Sequence, residues 1–176
     1  MRGFTNQIID AAGNGALVLT ANKRLARHLR HAYDLRMQDD GCTVWPTPQI
    51  ISYEAWLHRC LSEAGEGWRL LSASAAQRLW EELIEQSSSG SEMELLQVPA
   101  TARKAYEAHR LLGAYRCRLE DASLTEDQQV FRKWQERFLQ VCRDKEWIDR
   151  AELPWKVLDI LAASEQAVPG EVLLVG

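Results

Sequence analysis

Hydrophobic and polar positions follow two different rhythms along this chain. Short unbroken apolar runs lie near both ends, and between them apolar residues recur every three or four positions. An unbroken run bounded by turn formers suits a strand buried on both faces, whereas the longer spacing marks one face of a helix. Residues 16–20 (ALVLT) and 171–175 (EVLLV) are the clearest strands, with 49–52 a shorter one. Thr5 is placed to cap a short helix through Ala12, which Gly13 and Gly15 end. Residues 22–38 read as a helix with Leu25, Leu29, Ala32, Tyr33 and Arg36 near one stripe, stopped by Asp39-Asp40-Gly41. Pro46 and Pro48 favour an extended path into the second strand. Ser52 then starts a helix whose apolar face is Trp56, Leu57, Cys60 and Leu61, ending at Gly65 and Gly67.

From Ser72 to Trp147 the pattern is almost wholly helical. Residues 74–86 carry Leu79, Trp80, Leu83 and Ile84, and the serine tract 87–91 is a flexible connection. Residues 93–118, broken at Pro99, and 124–145 form two long amphipathic helices. Residues 151–164 form another, with Pro154 tolerated in its first turn, before a turn at Val168-Pro169-Gly170. Strands at the beginning and end joined by long helical connections predict an α/β fold, a partial parallel sheet with a large all-helical insertion. The expected divisions are 1–70, 71–147 and 148–176. A buried apolar strand with only Gly176 after it is unusual for a natural terminus, so the natural chain is expected to continue.

Composition narrows the function. With 46% hydrophobic and 26% charged residues, the chain can bury an ordinary core, and its seven tryptophans are expected to be mostly buried or half-buried. A net charge of −4 argues against a purely electrostatic nucleic-acid binder, yet Lys23, Arg24, Arg27, Arg30 and Arg36 cluster with only Asp34 opposing them. Cys42, Cys60, Cys117 and Cys142 show no metal-ligand spacing, and nothing resembles a signal peptide or a membrane span. A cytoplasmic protein with reduced cysteines is the expectation.

Catalytic motifs are missing. There is no Gly-x-x-x-x-Gly-Lys-Ser/Thr loop, and Gly13-Asn14-Gly15 precedes its strand rather than following it, so neither a P-loop nor a dinucleotide fingerprint is present. His28 and His31 lie three apart on the basic helix but lack a third ligand, and no Gly-x-Ser-x-Gly elbow occurs. No catalytic residue, cofactor or metal is expected. The candidate chemistry is binding. Thr20, Asn22, Lys23 and Arg24 lie where a strand's carboxyl end meets a helix, an arrangement suited to phosphate, and ordinary helix capping explains the same residues equally well. Arg27 and Arg30 add longer-range attraction, and Tyr53 with Trp56 offers a stacking face, although Trp56 also fits the core.

The segment LVLTANKRLARHLRHAY is similar to the single-strand-contacting motif of UvrD/RecB-type superfamily 1 helicases: an apolar strand, a Thr, Asn-Lys, then Ala and Arg on a helix. PQIISYEAWLHRCL resembles that family's next strand and its Thr-Phe-His-Ser helix, with Ser52-Tyr53 in that place. EWIDRAELPWKVLDIL resembles the Asn-x-Leu-Asp-Phe-x-Asp-Leu-Leu element, with Ile148-Asp149 and Leu153 in equivalent roles. EVLLVG resembles the strand before the metal-binding Asp-Glu, where Gly176 now stands. The order resembles that of AddB-like proteins and of bacterial probable DNA repair proteins, which join an inactivated helicase-like half to a PD-(D/E)XK nuclease. The resemblance implies a P-loop helicase-like domain without its own ATPase site. It would bind single-stranded DNA or DNA ends through Thr20, Asn22, Lys23, Arg24, Arg27, Arg30, Ser52 and Tyr53, with a helicase–nuclease subunit as a possible partner. The alternative is a protein-interaction scaffold with no DNA contact, which the acidic balance favours slightly.

Overall fold

A computed structural model describes residues 2–65, 67–88, 97–117, 119, 124–163 and 170–176. Along the chain run α1 (Arg2–Gly13), β1 (Leu17–Thr20), α2 (Lys23–Asp39), β2 (Ile50–Ser52), α3 (Tyr53–Glu63), β3 (Arg69–Leu70) and α4 (Ala73–Ser88). Then follow α5 (Val98–Ala114), α6 (Glu126–Asp144), β4 (Trp147–Ile148), α7 (Leu153–Ala163) and β5 (Val172–Val175). The chain forms two compact units, Met1–Gly65 with Asp159–Gly176, and Glu66–Leu158.

The first unit is built on a parallel three-stranded sheet in the order β2-β1-β5. β1 is central and buried along its whole length, which is why its sequence is apolar without alternation. Val18 pairs with Ile50 on one side and Leu173 on the other. That face packs against Ile8 and Ala12 of α1 and Ala26 and Leu29 of α2. The turn from α1 into β1 uses Gly15 at φ 95°, a left-handed conformation that a side chain disfavours. α1 begins at Arg2, so Thr5 lies inside the helix and does not cap it as expected. Capping chemistry favours a boundary but does not forbid helical backbone upstream of it. α2 and α3 begin at the expected caps, Asn22 and Ser52.

The second unit centres on Trp80 and Phe138, both fully buried, with Ile84, Ala76 and Ala102 around them. The Trp80 ring stacks on Phe138 at 5.0 Å and on Phe131 at 6.0 Å. Pro99 lies in the first turn of α5, where its missing N–H has no intrahelical partner to lose. The serine tract differs from expectation. Ser87 and Ser88 belong to α4; the Ser87 hydroxyl donates to the Ile84 carbonyl at 2.8 Å and accepts from Trp134 Nε1 at 2.7 Å. The rest of the serine tract, residues 93–96 and the turn residues Val168 and Pro169 lie outside the described residues. α6 opens with a reciprocal capping box between Thr125 and Gln128. β3 and β4 form a short parallel pair, Arg69 opposite Trp147 and Leu70 opposite Ile148. All seven tryptophans are buried or half-buried.

One helix contact in this unit is close enough to be tested by a single methyl. A Cβ added at Gly113 would lie 2.8 Å from the Ala151 Cβ and 3.4 Å from its carbonyl oxygen. Gly113→Ala gains about 1 kcal/mol of helix propensity. Overpacking against a backbone that cannot withdraw costs about 1–3 kcal/mol. A net loss of stability is expected, read as a lowered urea midpoint with an unchanged slope.

Candidate nucleic-acid interface

Parallel pairing sets the carboxyl ends of β1 and β2 side by side, with Thr20 directly opposite Ser52. A helix starts immediately after each strand, so two helix N-termini open along the same sheet edge, where an open α/β sheet binds ligands. Thr20 is 1% exposed, and its hydroxyl donates to the Asn22 carbonyl at 2.9 Å and to the Ile51 carbonyl at 3.5 Å. Ser52 is 3% exposed, and its hydroxyl accepts the Ala55 amide at 3.3 Å. Both hydroxyls are thus turned into the fold, where they fasten the two turns. The Ala21 amide donates to the Val175 carbonyl at 2.9 Å and ties the first turn to β5.

Asn22 has extended backbone, φ −154° and ψ 163°, and its Oδ1 accepts the Leu25 amide at 2.9 Å. That satisfies the third helical amide and leaves those of Lys23 and Arg24 without an intrahelical acceptor. No acidic residue occupies the first turn of α2. A helix N-terminus already carries about half a positive charge, so Lys23 and Arg24 there oppose the helix dipole and concentrate positive potential. Lys23, Arg24, Arg27 and Arg30 are all exposed, and among the described residues none forms an ion pair. Arg36, by contrast, is neutralised by Asp40 at 3.1 Å and by Asp10 at 3.9 Å. Tyr53, at 44% exposure, stacks on the half-buried Trp56 with ring centroids 6.1 Å apart.

Sequence reasoning missed a buried polar network in the second unit. Asp149 and His109 are each 1% exposed. The Asp149 carboxylate accepts the Tyr106 hydroxyl at 3.0 Å and the Ala151 amide at 3.0 Å. His109 Nε2 lies 3.3 Å from it, but its N–H is not aligned on the oxygen, so attraction rather than a well-directed hydrogen bond holds that contact. On the other side of the ring, Nδ1 meets Gln135 Nε2 at 3.0 Å. An amide N–H donating to Nδ1 fixes the proton on Nε2, facing Asp149. Burial alone would push the Asp149 carboxyl up, yet His109, the Ala151 amide and the Tyr106 hydroxyl outweigh burial and hold it below its ordinary range.

A histidine against a carboxylate invites comparison with hydrolytic sites, and the surroundings argue otherwise. Burial, and the Asp149 charge after it, push the Cys142 thiol up to about 12, the opposite of what a nucleophile requires. Tyr106 is likewise pushed well above its ordinary range by burial and by Asp149. These groups are packed inside the helical core. Tyr106 and His109 share one face of α5, a spacing visible in the sequence, but their partner Asp149 lies far along the chain. Among the described residues, no three His, Cys, Asp or Glu side chains gather as a metal ion requires, and no helix is long and apolar enough to cross a membrane.

No family model and no curated protein matches this chain.

Proposed function

We propose that this chain is a helicase-like, non-hydrolytic domain of an AddB/RecB-type DNA repair nuclease, and that it grips the backbone of single-stranded DNA. In this reading the three-stranded parallel sheet is a partial P-loop helicase-like sheet, and residues 71–147, within the second unit, are its helical insertion. The observation that carries the proposal is the sheet edge at Thr20 and Ser52, where four exposed cations, without an ion pair among the described residues, follow a capped helix start. Free amides at a helix N-terminus and nearby guanidiniums are the groups that hold phosphate oxygens. Asn22, Lys23 and Arg24 touch the strand, Arg27 and Arg30 extend the contact, and Tyr53 offers a ring for a base. Thr20 and Ser52, being buried, support the two turns from beneath. The lack of a phosphate-wrapping Gly-Lys-Ser/Thr loop supports a role in holding DNA rather than in hydrolysing nucleotide.

The double variant Lys23→Ala/Arg24→Ala tests this directly. Binding of a fluorescent dT20 oligonucleotide should weaken, and the slope of log affinity against log salt should flatten by roughly 1.4, since each phosphate contact on a single strand contributes about 0.7. An unchanged affinity and slope would remove both residues from the interface.

A second reading, a protein-interaction scaffold, draws support from the helical unit. A groove of about 1110 Å³ there is lined mainly by apolar side chains, including Leu83, Ala105, Leu112, Phe131 and Trp134. A chain that binds no oligonucleotide at any salt concentration would favour it.

A further inference from the structure

The cationic surface of α2 continues beyond the turn at its start. Lys23, Arg27, Arg30 and Asp34 recur at helical spacing along one side. The stripe therefore runs from the sheet edge for about 10 Å along the helix axis to Arg30. Beside its far half lies a cleft of about 380 Å³. Arg27, Arg30, His31 and Asp34 form one wall, and Trp45 and Pro48, from the segment between α2 and β2, belong to the other.

Trp45 is half-buried, and its Nε1 donates to Asp34 Oδ1 at 2.9 Å. The bond engages the only polar group of the ring, so what the indole offers the cleft is aromatic carbon surface. It also anchors the segment to α2 and occupies one oxygen of Asp34, the only carboxylate lining the cleft among the described residues. Pro46 and Pro48 restrict the backbone on either side of Thr47, and the Pro48 carbonyl accepts the Ile50 amide at 2.9 Å as the chain enters β2. The aromatic wall is thus set before any ligand arrives.

Guanidiniums on one wall and an indole on the other match a ligand that is anionic at one end and flat and aromatic at the other. A free phosphate would leave the indole unused, and an apolar ligand would leave two arginines unpaired. We infer that this cleft seats one nucleotide unit, with Arg27 and Arg30 on its phosphate and the Trp45 ring against its base. The inference rests on the single-strand reading above and adds a place where a base is held. It also gives the strand a direction of travel, from the sheet edge along α2.

Titrations with dT20 separate the two ideas. Trp45→Ala should weaken binding about tenfold, within the range for one lost base–aromatic stack, while the salt slope stays as in the unaltered chain. Trp45→Phe keeps a ring, loses the bond to Asp34, and should recover most of the affinity. Should Trp45→Ala lower the melting temperature, the unaltered protein gives the answer instead: added dTMP should shift the indole N–H signal that Trp45→Phe removes. Wild-type binding to dT20 that neither Trp45 variant alters, with no dTMP shift, would overturn the cleft and leave the sheet-edge reading standing. A dTMP shift without dT20 binding would support the cleft and sink the strand reading. Failure to bind either probe would overturn both.

Discussion

Asp149→Ala should lower the unfolding free energy of the helical unit by about 2–6 kcal/mol, at about 1–3 kcal/mol for each of the two buried donors left without an acceptor. Alanine would orphan the Tyr106 hydroxyl and the Ala151 amide, and would remove the carboxylate that attracts the His109 ring, in a region that water does not reach. Asp149→Asn should cost less, about 1–3 kcal/mol, because the amide oxygen still accepts one of these donors. The two variants separate loss of hydrogen-bonding capacity from loss of charge. The pH dependence follows from the direction of the carboxyl shift. Asp149 titrates below its ordinary value of 3.8 in the folded chain, so on acidification the unfolded chain takes up the proton first. Its contribution is complete above about pH 4 and is lost as the pH falls through the lower folded value. Between those limits the wild type should lose stability more steeply than Asp149→Ala, as read by urea titrations at several pH values.

Phe138→Ala should cost a comparable 3–5 kcal/mol, through packing instead of charge. The ring is fully buried, stacks on Trp80 at 5.0 Å and meets the edge of His109 at 5.2 Å. Truncation would remove an aromatic pair worth about 0.5–1.5 kcal/mol beyond its buried area and leave a cavity beneath α4 and α5. Phe138→Leu keeps most of the volume and should cost less. Because His109 packs on the lost ring, Phe138→Ala and Asp149→Ala together should depart from additivity, whereas either variant combined with Leu29→Ala in the first unit should add. Urea midpoints of the single and double variants measure both expectations.

The first unit was legible because its signals are local. The apolar run ending at Thr20, the Asn22 cap and the helical stripe through Leu29 and Tyr33 all lie within a few residues of one another. The Ser52 cap is as local, and it opens α3 where the sequence places it. Sequence also located the cations, but it could not say which were free. Arg36 differs from Arg30 only through Asp10 and Asp40, and the Asp10 contact is made by the fold. Nor did Thr20 and Ser52 reveal that their hydroxyls face inward, since a hydroxyl at a strand's end serves a ligand or a turn equally well.

The second unit hid what was long-range. β3 and β4 are two residues each, too short to carry a period, and they pair across most of that unit. His109 lies on a helix that reads as ordinary amphipathic surface, and its distant partners Trp80, Gln135, Phe138 and Asp149 make it a core residue. Trp45 sat in a proline-flanked stretch whose extended path was expected, but its ring is positioned by Asp34, eleven residues earlier on α2.

The central claim is that the edge at Thr20 and Ser52, with α2 beside it, holds a single strand of DNA. Its most direct test is the affinity of the unaltered chain for dT20 between 50 and 200 mM salt. Contacts from Lys23, Arg24, Arg27 and Arg30, each neutralising one phosphate, predict a linear log–log plot with a slope of about −2.8. No binding at the lowest salt, or binding indifferent to salt, would contradict the account.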